Sequence, residues 1–163
     1  MTSKHKSTRP TWHVYFMKMA HLVSERSTCC RRQVGAILVK NNQVIASGYN
    51  GSPKHISHCT AKSCLREVNH VPSGERHELC RGVHAEQNTI IQAALNGVSL
   101  EGAVLYCTNF PCSICAKIII NAEIKYIYVA EDYPDALAKE MFAESGTEVI
   151  LVDNDNGNLI KII

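Results

Sequence analysis

The chain has no run of eighteen apolar residues, and its first ten residues, MTSKHKSTRP, are polar with no apolar stretch behind them. A bilayer-spanning helix needs about 20 apolar residues, and a secretory leader needs an apolar segment after its basic start. Neither is expected here, so the cytoplasm is the expected compartment and a membrane is not an expected partner. A charge excess is also missing: 17 Lys and Arg against 15 Asp and Glu leave a formal net charge of +2. The one basic cluster, Lys4, His5, Lys6 and Arg9, sits in an N-terminal segment, residues 1–10, that is expected to fray. Nucleic acid, which selects for strongly basic surfaces, is therefore not an expected partner either. Internal repeats are absent, which excludes a solenoid. At 163 residues there is room for one domain but not for separate cofactor and substrate domains.

What is present has a globular balance, 45% hydrophobic and 20% charged. Eight cysteines are sparser than in small disulfide-stapled domains. In a reducing compartment, thiols grouped near histidines read as metal ligands rather than disulfide partners.

Tyr15, Met19, Leu22 and Val23 recur at helical spacing, which predicts an amphipathic helix over 12–26 with those residues on the core. Residues 34–39 and 43–49 are β-rich and flank Lys40, Asn41 and Asn42, a hairpin pattern. Residues 50–82 show no sustained period, long for a structureless connection, so something other than a hydrophobic core must order them. Beyond, helices are expected at 84–95, 112–122 and 135–145, the last stopped by Gly146, and strands at 103–108, 124–130 and 148–152. Strands alternating with helices imply an α/β class with a mixed five-stranded sheet and helices on both faces. The expected organisation is one domain over 11–153, with a Cys/His-rich insertion at 54–82. A tail, 154–163, follows; it turns at Asp153-Asn154-Asp155-Asn156-Gly157 and offers a short edge strand.

The densest chemistry is His84-Ala85-Glu86 and Pro111-Cys112-Ser113-Ile114-Cys115, each at a predicted helix start with one strand between them. This H-x-E with P-C-x-x-C pattern is the signature of zinc-dependent nucleobase deaminases. Residues three apart on a helix share a face, so Cys112 and Cys115 can meet one zinc ion, with His84 as the third ligand. Three protein ligands leave the fourth position to water, and Glu86, pointing elsewhere on its turn, can carry protons as general acid and base. A competing reading closes the metal instead: Cys80 and His84 are spaced C-x3-H and, with Cys112 and Cys115, would make a four-ligand structural site. The function class that goes with it is a zinc-stabilised interaction module or a catalytically silent regulator. Glu86 and Pro111, which a closed site does not need, favour the enzyme.

Gly48-Tyr49-Asn50-Gly51-Ser52-Pro53 reads locally as a turn. In combination, CCRRQVGA at 29–36, GYNGSP at 48–53, HAEQN at 84–88 and NFPCSIC at 109–115 resemble, in order, the deoxycytidylate deaminase family of the cytidine deaminase superfamily, including its late-competence and phage-type members. The resemblance covers roughly residues 12–152. It implies a three-layer α/β/α fold and hydrolysis of dCMP to dUMP and ammonia by a homo-oligomer, commonly a hexamer. It also implies His84, Cys112 and Cys115 on catalytic zinc, Glu86 as proton shuttle, and Asn50 on the sugar with Gly51 and Ser52 shaping the pocket. Many members are activated by dCTP and inhibited by dTTP.

A second, structural zinc would order residues 50–82, since metal binding contributes folding free energy. Some bacterial and phage relatives resemble this chain in holding such an ion through cysteines matching Cys29 and Cys59. Cys64 and Cys80 complete the expected set, with His77 as substitute; the phage pattern has a histidine and an acid there. Cys30 and Cys107 read as packing thiols, and Tyr106 and Phe110 as core. Arg26, Arg31 and Arg32 read as solvated charges, which leaves the phosphate without an assigned ligand.

Overall fold

A computed structural model of the chain describes residues 9–153 and 157–163. The expected fraying of the N-terminus and the Asn154-Asp155-Asn156 turn fall on residues 1–8 and 154–156, outside the described residues.

β1 (Gly35–Lys40) and β2 (Gln43–Tyr49) form the expected antiparallel hairpin. Its two loop residues, Asn41 and Asn42, both have positive φ, 52° and 58°, the conformation that matches a two-residue turn to strand twist. β1 pairs antiparallel with β3 (Val104–Cys107), which pairs parallel with β4 (Tyr126–Val129), itself parallel to β5 (Glu148–Val152). The tail returns as β6 (Leu159–Lys161), antiparallel to β5, so the sheet has six strands in the order β2-β1-β3-β4-β5-β6 rather than the expected five. All three residues of β6 are exposed. It is the short edge strand that the tail offered, and it joins by backbone hydrogen bonding at an open edge.

Alternation along the strands divides two cores. Ala36, Leu38, Leu105 and Cys107 face α3 (Ala85–Leu95), α4 (Ser113–Asn121) and α5 (Ala136–Ser145). Ile37, Val39 and Tyr106 face α1 (Trp12–Ser24). The helix forms as expected, and of the four residues expected on the core Met19 and Val23 pack against it, partly buried, whereas Tyr15 and Leu22 are 45% and 64% exposed and the buried side is Val14, Phe16, Met17 and Ala20. The sequence WHVYFMKMAHLV is apolar on most sides, so spacing alone does not select the face; the fit of Phe16 and Met17 to β1 and β3 does.

β2 carries the N-terminal half of α3 at close range: a Cβ at Gly48 would lie 2.5 Å from the Thr89 amide nitrogen. At the end of β2, Gly51 and Val83 exchange both backbone hydrogen bonds, Gly51 N to Val83 O at 3.1 Å and Val83 N to Gly51 O at 2.8 Å. Residues 52–82 leave and return at this bridge. Their regular structure is one turn of α2 (Leu65–Val68) and a 3₁₀ turn at His77–Leu79. Ile56, Leu65 and Val68 are exposed, and the buried side chains are Cys64 and Arg66. Among the described residues no helix is long and apolar enough to cross a membrane.

Candidate active site

Two helix starts meet at the C-terminal ends of β1's neighbours. His84 is the N-cap of α3 and Cys112 the N-cap of α4, one residue outside the helices expected to contain them. Gln87 fixes the first: its Oε1 accepts the His84 amide at 2.9 Å. Asp135 fixes the second: one carboxylate oxygen accepts the Ser113 amide at 2.8 Å, while the other caps α5 through Ala138 N at 2.9 Å. One side chain thus ties α4 to α5, satisfying donors that each helix end leaves open.

The result is convergence. His84 Nδ1 lies 3.3 Å from Cys115 Sγ and 3.5 Å from Cys112 Sγ. The ligand atoms of His84, Glu86 and Cys115 lie within 4.8 Å of one another, and so do those of His77, His84 and Cys112. Nitrogen and sulfur donors at this spacing suit a tetrahedral zinc ion. Cys80, the fourth member of the closed-site reading, belongs to neither group; His77 stands there instead, its ring edge-on to that of His84 with centroids 5.4 Å apart. Both His77 ring nitrogens are buried without a hydrogen-bond partner.

The electrostatics follow the donors. The Cys112 thiol is lowered to about 3, first by its hydrogen bond with Cys115 and then by His84, against the opposing effect of burial. Cys115 is pushed well up by the same shared proton and by burial, so the two sulfurs hold one proton between them. Hydrogen bonding to Cys112 raises His84, opposed by burial and the positive charge of Arg66. Glu86, 5% exposed, is raised by desolvation, countered by His84. A carboxyl held protonated at higher pH than usual, next to metal donors, is suited to giving and taking a proton near neutrality.

His84, Glu86 and Cys112 line a cavity of about 140 Å³ whose walls include Asn50, Gly51, Phe110 and Tyr133. Asn50 is largely committed: its Oδ1 accepts from Ser27 Oγ at 2.6 Å and Val34 N at 2.9 Å, and its Nδ2 donates to Arg32 O at 2.8 Å. One amide hydrogen remains for a ligand. Gly51 adjoins Thr28, whose Oγ1 a Cβ would meet at 2.2 Å. Ser52 is turned toward Cys59, Oγ to Sγ 3.9 Å, and is not part of the cavity wall. Cys29, Cys59, Cys64 and Cys80 all reach that wall, but no three of them bring their sulfurs within 4.8 Å among the described residues. Cys30 is exposed rather than packed; partial desolvation first, then Cys64, Cys29 and Cys59, push its thiol up to about 11. Gln87, Asp135, Arg66 and Tyr133 are site residues that sequence reasoning missed. Of these only Asp135, an acid just before a helical run, carried a local signal, that of an N-cap.

The family model for the cytidine and deoxycytidylate deaminase zinc-binding region matches residues 10–131. ComE operon protein 2 of Bacillus subtilis is 42% identical over 148 residues, 90% of this chain and 74% of that protein. A deoxycytidylate deaminase of Schizosaccharomyces pombe is 38% identical over 125 residues, 77% of this chain but only 38% of the yeast protein. The crystal structure of a dCMP deaminase from cyanophage S-TIM5, in complex with dCMP and dUMP, superposes with a TM-score of 0.70 at 32% identity, covering 86% of this chain and 96% of that one.

Proposed function

The chain belongs to the cytidine and deoxycytidylate deaminase family, and from that premise we propose that it hydrolyses dCMP to dUMP and ammonia in the cytoplasm, supplying thymidylate synthesis. The observation that carries this reading is the buried Glu86 carboxyl beside the converging donors of His84, Cys112 and Cys115, at the inner end of a cavity. The donor set is one imidazole nitrogen and two sulfurs and fits zinc. When bound, zinc supplies Lewis acidity that makes water a nucleophile near neutral pH.

The remaining chemistry is proton traffic. Glu86 takes a proton from the attacking water as the oxygen adds to C4, and delivers it to N3 of the pyrimidine. It then relays the second water proton to the exocyclic amine, which leaves as ammonia while the C4 carbonyl forms. Atoms balance as dCMP plus water giving dUMP plus ammonia. Asn50 uses its one uncommitted N–H on the deoxyribose, with Gly51 bounding that side; Ser52, turned toward Cys59, acts from behind the wall rather than on it. Cys29, Cys59, Cys64 and Cys80, with His77 as the substitute donor, would hold a second zinc, which would supply ordering free energy to residues 52–82. Assembly as a homo-oligomer, a hexamer, and regulation by dCTP and dTTP are part of the same reading.

The test is dUMP formation from dCMP by the purified, zinc-loaded protein, with and without dCTP, beside a panel of free nucleosides and bases. Glu86→Gln is expected to keep zinc and fold while turnover falls about 10²- to 10⁴-fold. Wild-type protein that carries zinc and releases no ammonia from dCMP under either condition overturns the reading.

A further inference from the structure

His84 and Cys112 each stand one residue before a helix, outside its ladder of amide hydrogen bonds. α3 secures that end from within, since Gln87 lies in its own first turn. α4 does not. Cys112 makes no capping side-chain hydrogen bond, and its sulfur is one of the converging donors. The acceptor comes instead from 22 residues further along the chain, where Asp135 Oδ2 takes the Ser113 amide at 2.8 Å. The other oxygen of the same carboxylate caps α5 through Ala138 N at 2.9 Å, and Ala138 is fully buried. Asp135 therefore cannot shift toward or away from Ser113 without moving α5 on its core.

The other side of Cys112 is held by the same helix. Phe110, two residues before it, packs edge-on against Phe142 of α5 with ring centroids 5.8 Å apart, and Lys139 Nζ lies 5.4 Å from the centre of the Phe110 ring. Asp135, Lys139 and Phe142 follow at i, i+4 and i+7, which is one face of a helix. That face grips the chain at Phe110 and again at Ser113, and Pro111 and Cys112 are the span between the two grips. Among the described residues α5 supplies none of the converging donors, and neither it nor Asp135 lines the cavity. Its link to the chemistry is the placing of Cys112. A metal ligand aimed by hydrogen-bonded support holds its ion in one geometry, and loss of such support ordinarily costs about 10- to 100-fold in metal affinity or activity. We propose that Asp135 is a positioning residue for the metal ligand Cys112, holding the segment from Phe110 to Ser113 against α5 so that the Cys112 sulfur meets His84 and Cys115. The proposal rests on the zinc reading of those donors given above, and it holds whichever pyrimidine is the substrate.

The experiment compares wild type with Asp135→Ser, Asp135→Asn and Thr11→Ala. Serine keeps an N-cap oxygen for Ala138 but is too short to hold Ser113 as well, and asparagine has one acceptor oxygen for the two amides. Thr11 caps α1, on the opposite face of the sheet, so Thr11→Ala is a cap lost far from the metal donors. The readouts are chelator competition for the zinc ion that Cys112→Ser removes, the visible spectrum of the Co²⁺-substituted protein, the thermal midpoint, and kcat and KM on dCMP. Asp135→Ser is expected to weaken that ion about 10- to 100-fold, to alter the ligand-field bands of the cobalt protein, and, at saturating zinc, to lower kcat while KM stays within about twofold. Asp135→Asn falls between serine and wild type, and carries the comparison if the serine variant does not fold. Thr11→Ala lowers the thermal midpoint and leaves metal affinity and spectrum unchanged. Wild-type metal affinity and cobalt spectrum in both Asp135 variants overturn the proposal and make Asp135 a helix cap only. Equal weakening of the ion by Thr11→Ala overturns it as well, because metal affinity would then follow global stability. A chain whose zinc depends on Asp135 in this way but which never turns over dCMP leaves the positioning role standing and removes the deamination reading.

Discussion

Two groups of metal-type donors lie in this molecule, and they are built in opposite ways. His84, Cys112 and Cys115 sit at the starts of helices whose ends are held by Gln87 and Asp135 on a six-stranded sheet, and their ligand atoms converge. Cys29, Cys59, Cys64 and Cys80 sit in or against an irregular excursion that buries little apolar surface, and no three of their sulfurs converge among the described residues. Backbone hydrogen bonding has already met the ordering cost of the first group. For the second group an ion would have to supply it. A site that must do chemistry benefits from the first construction, since hydrogen bonds of the surrounding scaffold hold its geometry.

The sharpest way to break this contrast is to exchange one ligand in each group. Cys112→Ser is expected to abolish turnover and remove one zinc per chain while leaving the thermal midpoint within a few degrees of wild type. Cys59→Ser is expected to retain the catalytic zinc and to accelerate limited proteolysis within 52–82 at least about tenfold, with the sheet intact. Mass spectrometry of the cleavage sites and zinc analysis check both; the same outcome from either exchange would mean that the two groups are not built differently. Asn50→Ala comes next in size. It removes three hydrogen bonds that join β2 to residues 27–34, and is expected to lower unfolding free energy by about 1–3 kcal/mol, measured by denaturant titration, besides weakening nucleotide binding.

The smallest expected effect lies on the opposite face of the sheet, where neither group reaches. Burial lowers His13 below its ordinary 6.5, and its Nδ1 lies 3.0 Å from the Tyr106 hydroxyl. The folded chain resists protonating this imidazole, so the stability it contributes is complete above 6.5 and declines as pH falls from 6.5 toward the lower folded value. His13→Gln is expected to flatten that acid limb in melts recorded across pH without changing zinc content or turnover.

Much of the catalytic end was legible in advance because its residues carry short-range rules. A proline before a C-x-x-C helix start and H-x-E at another helix start leave few arrangements, and alternation of strands and helices leaves few topologies. What escaped notice depended on contacts between distant residues. The buried face of α1 could not be chosen from a helix apolar on most sides. Arg66 looks like any surface arginine in the string CLREVN; its burial is created by the turn at 71–72 closing over it. Cys30 was expected to pack beside Cys29, but it lies at a bend and is exposed.

The Gly51–Val83 bridge has a practical consequence. Because the excursion between them is pinched off at its base, its length and sequence away from His77, whose ring packs on that of His84, can drift without shifting the imidazole one residue beyond Val83. Selection, natural or in the laboratory, could trade one such cassette for another and retarget the scaffold to differently decorated pyrimidines while the reaction itself is inherited unchanged.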